Sequence, residues 1–396
     1  MVLHNSKMSI EELASKFVYF AKHTFGDDFI PLHRPVFEGN ERQYLVDCID
    51  SNFVSSVGAQ VTKFEETVAT FVGSKHAIAT VNGTAALHVA IELAGVKPGD
   101  EVISQALTFI ATCNAITYAG AKPLFIDVDL DTMGLSPAAL QAFLANNAKK
   151  TSTGTINKLS GKKISACVPM HTFGFPCRIA EIAEICADWD ITLVEDAAES
   201  LGSYVDSRHT GTFASMSTLS FNGNKVMTTG GGGMILTDNS ELAERAKYIT
   251  TTAKLPHPYE FVHDEIGYNY RMPNLNAALG CAQMERLKEF LLIKAQLAEQ
   301  WGMFFDGKGP RFVRPIDGTT ANHWLNTIIL DSKEDRDEFL KLTNASNVMT
   351  RPIWTLMSKL PMFKDSQRDE LENSLWLEDR VVNVPSSVPE GALEKN

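Results

Sequence analysis

One lysine stands out because its neighbours are wrong for a surface charge. In Ser217-Thr-Leu-Ser-Phe-Asn-Gly-Asn-Lys-Val-Met-Thr-Thr-Gly-Gly-Gly-Gly233, Lys225 lies between a strand-like stretch and a glycine run, among small polar residues rather than other charges. A sheltered lysine is the residue type that forms Schiff bases; a solvated surface charge is its ordinary alternative. The glycines let backbone pass close to a flat ligand, or simply turn the chain. In Val194-Glu-Asp-Ala-Ala-Glu-Ser200, two acids end an apolar strand at its carboxyl end, the edge where open α/β sheets bind ligands. Asp196 is the acid of interest there, with a helix N-cap as its ordinary alternative. In Asn82-Gly-Thr-Ala-Ala86 a strand hands over to a helix. A helix start offers unpaired N–H groups and a positive dipole end, and Gly83 lets an anion come close. A plain turn and cap would read the same. Gly267-Tyr-Asn-Tyr-Arg-Met-Pro273 is a polar and aromatic cluster that by itself reads as an interdomain turn.

The order of these features matches one cofactor. Pyridoxal 5′-phosphate needs an anion cradle, an acid that keeps its pyridine nitrogen protonated, a flat partner for its ring, and a lysine. The chain offers Gly83 and Thr84, then Phe109, then Asp196, then Ser220 five residues before Lys225. Neither G-x-G-x-x-G nor G-x-x-x-x-G-K-[ST] occurs at the Gly83 turn, so nicotinamide and nucleoside-triphosphate chemistry are poorly supported.

The elements that must hold these residues alternate along the chain. Strand-like runs at Ala77–Val81, Glu101–Ser104, Pro123–Asp127, Ile164–Met170 and Ile191–Glu195 are interleaved with helical runs such as Thr84–Leu93 and Ile179–Trp189, the pattern of a mostly parallel sheet covered on both faces. A long helical run from Leu275 to about Trp301 follows, then a mixed region with a strand at Asn326–Leu330 and a helix at Lys333–Thr343. Ser9-Ile-Glu-Glu12 predicts a capping box, and Ile10, Leu13, Phe17 and Phe20 recur at helical spacing after it. The expected division is an N-terminal helical extension over 1–28, a large α/β domain over 29–285 and a smaller domain over 286–396.

Composition narrows the function. The 396 residues are 44% apolar and 21% charged, enough to bury a core. Lys plus Arg is 36 against 48 Asp plus Glu, a formal charge of −12 that disfavours nucleic acid and anionic membranes as partners. Six cysteines form no C-x-x-C pair and, with ten histidines, no metal-ligand spacing or H-E-x-x-H motif, so no metal is expected. The cysteines read as buried thiols of a reducing cytoplasm. No apolar run is long enough to span a bilayer, and Met1–Asp28 lacks the layout of a signal peptide.

Taken together, the chain resembles the DegT/StrS-type nucleotide-sugar aminotransferases of the fold-type I superfamily over about Ile30–Ser387, through Asn82-Gly-Thr-Ala-Ala-Leu87, Glu195-Asp-Ala-Ala198, Ser220-Phe-x-x-x-Lys225 with its glycines, and Asn269-Tyr-Arg-Met272. Within the family it looks most like the LegC-type branch, on Met170-His-Thr-Phe-Gly174, Phe221-Asn-Gly-Asn-Lys225, His263-Asp-Glu-Ile-Gly-Tyr-Asn-Tyr270 and Thr350-Arg-Pro-Ile-Trp354. The resemblance implies a large domain with a mostly parallel seven-stranded sheet and a smaller α+β C-terminal domain. It implies that Lys225 is the Schiff-base lysine and proton shuttle, that Asp196 pairs with the pyridinium nitrogen and that Phe109 stacks on the ring. Ser220 with Gly83, Thr84 and Ala85 would hold the phosphate, and Asn269 would reach it from a second subunit of a homodimer with shared sites. Glu199 departs from the Gln or His common at its position; a carboxylate there would repel the cofactor's phenolic oxygen and is expected to be protonated or turned away. Lysine at 225 is informative, because relatives that dehydrate sugars carry histidine there.

The activity this implies is transfer of the amino group of L-glutamate to C4 of a UDP-linked 4-keto-6-deoxy-2-acetamido sugar, feeding bacillosamine, legionaminic acid or a related surface sugar. Weaker expectations place Ser55, Ser56, His323, Asn326 and Arg351 at the sugar. The alternatives are the same chemistry on a 3-keto or a GDP- or dTDP-linked sugar, or a non-catalytic regulator on the same fold.

Overall fold

A computed structural model describes residues 8–393. Its large sheet contains β1 (His76–Thr80), β2 (Glu101–Gln105), β3 (Lys122–Ile126), β4 (Ile164–Val168), β5 (Thr192–Asp196), β6 (Met216–Ser220) and β7 (Gly233–Thr237), in the order β1-β7-β6-β5-β4-β2-β3. β7 runs antiparallel to both neighbours, and the other pairings are parallel. The expected seven-stranded, mostly parallel sheet is therefore present. β4 stops at Val168, short of the expected Met170, because Pro169 has no N–H to give to the ladder.

The helices are α1 (Ile10–Phe25), α2 (Glu41–Asp50), α3 (Ala59–Val72), α4 (Gly83–Leu93), α5 (Ile110–Tyr118), α6 (Pro137–Asn147), α7 (Ile179–Asp188), α8 (Ser240–Thr250), α9 (Asn274–Phe305), α10 (Lys333–Ala345) and α11 (Glu372–Glu378). Successive strand residues point to opposite faces of a sheet. Val102 and Val194 accordingly pack with Leu87 of α4 and Ile116 of α5. Ile103 and Leu193 pack with Leu140 of α6 and Ile182 of α7. Both faces are covered, which is why these strands read as nearly continuous apolar runs.

A second sheet, of β8 (Arg311–Phe312), β9 (Asn326–Ile329), β10 (Arg351–Pro352) and β11 (Val381–Val384), is antiparallel in the order β8-β9-β11-β10. α9 serves both regions. Ala277, Cys281 and Leu287 join the core that holds Leu219 and Phe221, whereas Leu297, Trp301 and Phe305 pack with Ile328 and Val382 of the second sheet. The position 285/286 lies inside this helix. α1 rests on the same end, with Phe17 stacked 5.1 Å from Trp301. Ser9 caps it by accepting the Glu12 N–H at 3.2 Å, but the Glu12 carboxylate pairs with Lys16 at 2.7 Å, so only half of the expected capping box is made. All six cysteines are buried thiols.

Candidate active site

The carboxyl ends of β5 and β6 and the start of α4 open on a cleft of about 340 Å³, closed on its far side by Trp324 and Trp354 from the smaller region. Asp196, the last residue of β5, is buried at its floor. One carboxylate oxygen accepts the Thr112 hydroxyl at 2.7 Å and the other the Ala198 N–H at 3.2 Å. Burial pushes this carboxyl up, and Thr112, the Ala198 N–H and Lys225 pull the other way. A cationic ring nitrogen set against it would supply the charge that burial denies.

Glu195, one residue earlier, points away from the cleft and does different work. Its carboxylate accepts the N–H groups of Gly211, Phe213 and Ala214 at 2.7, 2.6 and 3.0 Å and meets His171 Nε2 at 3.0 Å. The Cys177 N–H points at His171 Nδ1, 3.2 Å away, so the ring carries its proton on Nε2, toward Glu195. Of the two adjacent acids, one anchors the 211–214 turn behind the sheet and the other faces the cleft.

The helix start expected to hold an anion is built from backbone. Asn82 caps α4 by accepting the Ala85 N–H at 2.8 Å. The Ala85 N–H is taken by this cap and Ala85 does not line the cleft, which corrects the expectation that placed it there. Gly83 and Thr84 do line the cleft, beside Ser220. Gly83 has no substitute: a Cβ there would fall 2.9 Å from Ser220 Cβ. Within the glycine run Gly233 answers a backbone need, since a Cβ there would sit 2.4 Å from the Asn82 carbonyl oxygen, where β7 passes the start of α4. Phe109 precedes α5 and lies at the cleft mouth, 46% exposed, its ring centroid 6.0 Å from that of Trp354.

Lys225 projects into the cleft. Its Nζ is 3.1 Å from Glu199 Oε1 and 3.9 Å from the centre of the Trp324 ring. Glu199 is buried, and its other oxygen accepts the Phe173 N–H at 2.8 Å. It is not turned away, as one of the two expectations had it; burial pushes its carboxyl up, while the Lys225 amine and the Phe173 N–H pull it back toward the charged form.

Several expected residues lie elsewhere. Asn326 is buried in β9, where its N–H donates to Ser386 Oγ at 2.7 Å. Arg351 is exposed and donates to Asn344 Oδ1 at 2.8 Å, pointing along the surface of the smaller region. His323 packs edge-on to Phe175 at 6.4 Å, in a left-handed conformation (φ 51°) that turns its neighbour Trp324 to the cleft instead. Ser55 and Ser56 lie in a loop tied to α9 through the Asn274 N–H, which donates to the Ser55 carbonyl at 2.8 Å. Asn269 is exposed and does not line the cleft of its own chain. Sequence reasoning missed Trp324, Trp354 and Thr112 as site residues. Trp354 was within reach, since it closes the Thr350–Trp354 motif.

Residues 35–390 match the DegT/DnrJ/EryC1/StrS aminotransferase family. The chain belongs to this family. It is a pyridoxal phosphate-dependent sugar aminotransferase. Among its relatives, a GDP-perosamine synthase of Caulobacter vibrioides is 34% identical over 87% of this chain and 89% of its own length. A GDP-perosamine synthase of Vibrio cholerae is 32% identical over 90% and 94%. Among solved structures, the aminotransferase TlmJ of Streptoalloteichus hindustanus superposes with a TM-score of 0.81 at 26% identity, covering 90% of this chain and 93% of its own. DesI, solved in the presence of its TDP-sugar product, gives 0.80 at 26% identity, covering 91% and 88%. The residues present fit the cofactor: a helix start whose glycine admits no Cβ, a buried acid that desolvation leaves in want of a cation, and a lysine whose amine stands in the cleft. When bound, pyridoxal phosphate supplies an electron sink for the carbon that loses its proton.

Proposed function

We propose that this aminotransferase moves the amino group of L-glutamate to C4 of a UDP-linked 4-keto-6-deoxy-2-acetamido sugar. The observation that carries the amino-transfer reading is Lys225, whose side chain lines the same cleft as Asp196, Ser220 and the α4 start. In this reading Asp196 holds the proton on the ring nitrogen. Gly83, Thr84 and Ser220 hold the phosphate, and Phe109 lies against the ring. Lys225 Nζ takes the proton from the α-carbon of glutamate and, in the second half of the cycle, returns one to C4 of the sugar; a base already seated beside the carbon replaces several kcal/mol of barrier.

The UDP-linked substrate is supported by the resemblance to the LegC-type branch, carried in part by the Thr350-Arg-Pro-Ile-Trp354 motif, whose tryptophan walls the cleft. A second reading, the same chemistry on a GDP-linked sugar, is favoured by the two GDP-perosamine synthases among the relatives. Identities of 32–34% leave about two thirds of the aligned positions free to differ, so these names weigh on the reaction more than on the nucleotide. The reading further includes a homodimer in which Asn269 serves the neighbouring site. Its exposure supports this, as do the exposed apolar side chains of Tyr259, Phe261 and Ile266 in the preceding segment. The test is visible absorbance of the cofactor-loaded protein on adding L-glutamate, followed by UDP-, GDP- and dTDP-linked 4-keto sugars and a 3-keto control. Glutamate should bleach the cofactor band and the UDP-linked sugar should restore it fastest. Restoration by the GDP-linked sugar alone would move the assignment to the second reading, and no response to glutamate would end both.

A further inference from the structure

Lys225 has two tasks in amino transfer, bonding to the cofactor and acting as a free base, and between them its amine hangs on a flexible four-carbon stem. An ammonium ion left loose in a dry cleft is costly. Here it is not loose. Nζ sits between the Glu199 carboxylate at 3.1 Å and the Trp324 ring face at 3.9 Å, and the side chain is 12% exposed. An anion on one side and an indole face on the other are the groups that stabilise a cation away from water.

Both partners are themselves held. Glu199 Oε2 is fixed by the Phe173 N–H at 2.8 Å, and the Trp324 indole N–H donates to the carbonyl of Asn224, the residue before Lys225, at 2.6 Å. One side chain joins the two: Asn322 donates through Nδ2 to the Glu199 carbonyl at 2.8 Å and accepts the Trp324 N–H through Oδ1 at 2.8 Å. Gly174 leaves room for this clip, since a Cβ there would fall 1.9 Å from Asn322 Oδ1. Asp196 and His33 also lie within electrostatic reach of Lys225.

We propose that Glu199 and Trp324, clipped together by Asn322, form a holding site for the ε-amine of Lys225, occupied whenever that amine is not bonded to the cofactor. The proposal rests on the assignment of Lys225 as the aminotransferase lysine. Glu199 and Trp324 are positioning residues, acting on the reaction through that amine.

The test uses the full chain stripped of cofactor. Lys225 is pulse-labelled with an amine-acylating reagent at about pH 8 and about pH 10.5, and the labelled peptide is quantified by mass spectrometry. The rate at about pH 8 divided by that at about pH 10.5 rises as the amine holds its proton less firmly, and changes in access cancel. Glu199→Gln keeps an acceptor for Phe173 but loses the charge, and should raise the ratio about threefold or more. Trp324→Leu should raise it roughly 2- to 30-fold, while Trp324→Phe, which keeps a ring face, stays within about twofold of the parent. A ratio unchanged in either Glu199→Gln or Trp324→Leu overturns the two-sided site, whatever happens to activity. Circular dichroism verifies folding; if Trp324→Leu does not fold, the ratio in Glu199→Gln decides alone. Because neither cofactor nor substrate is present, unchanged ratios leave amino transfer by the parent protein standing, and absent amino transfer leaves the ratios readable.

Discussion

Replacing Asp196 with asparagine separates the charge of the site from its packing. The carboxyl accepts the Thr112 hydroxyl at 2.7 Å and the Ala198 N–H at 3.2 Å. An asparagine keeps the second bond through Oδ1. Its amide nitrogen meets the Thr112 hydroxyl, which turns to donate to Thr108, 3.0 Å away, so both contacts survive. Burial already disfavours the charged form of Asp196 when no cation faces it. The cofactor-free variant should therefore unfold within about 1 kcal/mol of the parent, or be more stable. Catalysis should respond on another scale. A unit charge about 4 Å from a ring cation, at an effective dielectric near 20, is worth about 4 kcal/mol, or about a thousandfold in rate. We expect Asp196→Asn to melt like the parent without cofactor and to carry the glutamate half-reaction about a thousandfold more slowly, as followed by stopped-flow absorbance. A rate within about tenfold of the parent would refute the assignment of Asp196 to the ring nitrogen. Destabilisation beyond about 3 kcal/mol would refute the account of its packing.

Gly83→Ala should weaken cofactor binding about tenfold or more in an absorbance titration, because the added methyl meets Ser220 Cβ at 2.9 Å; unchanged affinity would remove the Gly83 turn from the phosphate site. Mixing Lys225→Ala and Asn269→Ala homodimers should restore about a quarter of parental activity, since mixed dimers carry one site with both residues intact if Asn269 serves across the interface. Activity equal to the average of the two parents would show that Asn269 acts within its own chain or not at all. Lys294 is buried in α9, donates to the carbonyls of Trp324 and Ser386, and is pushed by burial from 10.5 down to about 7. The folded chain therefore binds fewer protons than the unfolded chain between about pH 7 and 10.5, so this residue's contribution to stability grows as pH rises through that window. Denaturant unfolding at pH values across it should show that rise in the parent and a flatter profile in Lys294→Met; parallel profiles would mean that another group controls it.

The chemistry was legible in the sequence where it depends on neighbours in the chain. Asn82 caps α4, Gly83 opens its first turn, Asp196 ends β5 and Ser220 ends β6 because local rules of capping, strand periodicity and steric freedom put them there. The apolar runs gave the parallel sheet for the same reason, since a strand covered on both faces must be apolar throughout. Ala85 shows the limit even of local reading: which N–H the Asn82 side chain takes depends on a rotamer, and it takes the one at 85.

What lay out of reach is what meets across the fold. Trp324 touches Asn224 over a separation of 100 residues, and Glu199 reaches Lys225 over 26. No periodicity connects such pairs: the pairing of β5 with β6 sets Glu199 beside Lys225, and the packing of the smaller region onto the ends of those strands brings in Trp324. The polar residues first chosen for the sugar illustrate the converse. Asn326 and Arg351 have the right chemistry, but the second sheet directs one into its own core and the other to its surface. Fold class and cofactor followed from residue type and local spacing in the chain alone, as did the expectation that Lys225 serves that cofactor. Which side chains face Lys225 is set by long-range packing, which gives direction to a side chain as spacing cannot: on one backbone torsion the adjacent His323 and Trp324 take opposite fates.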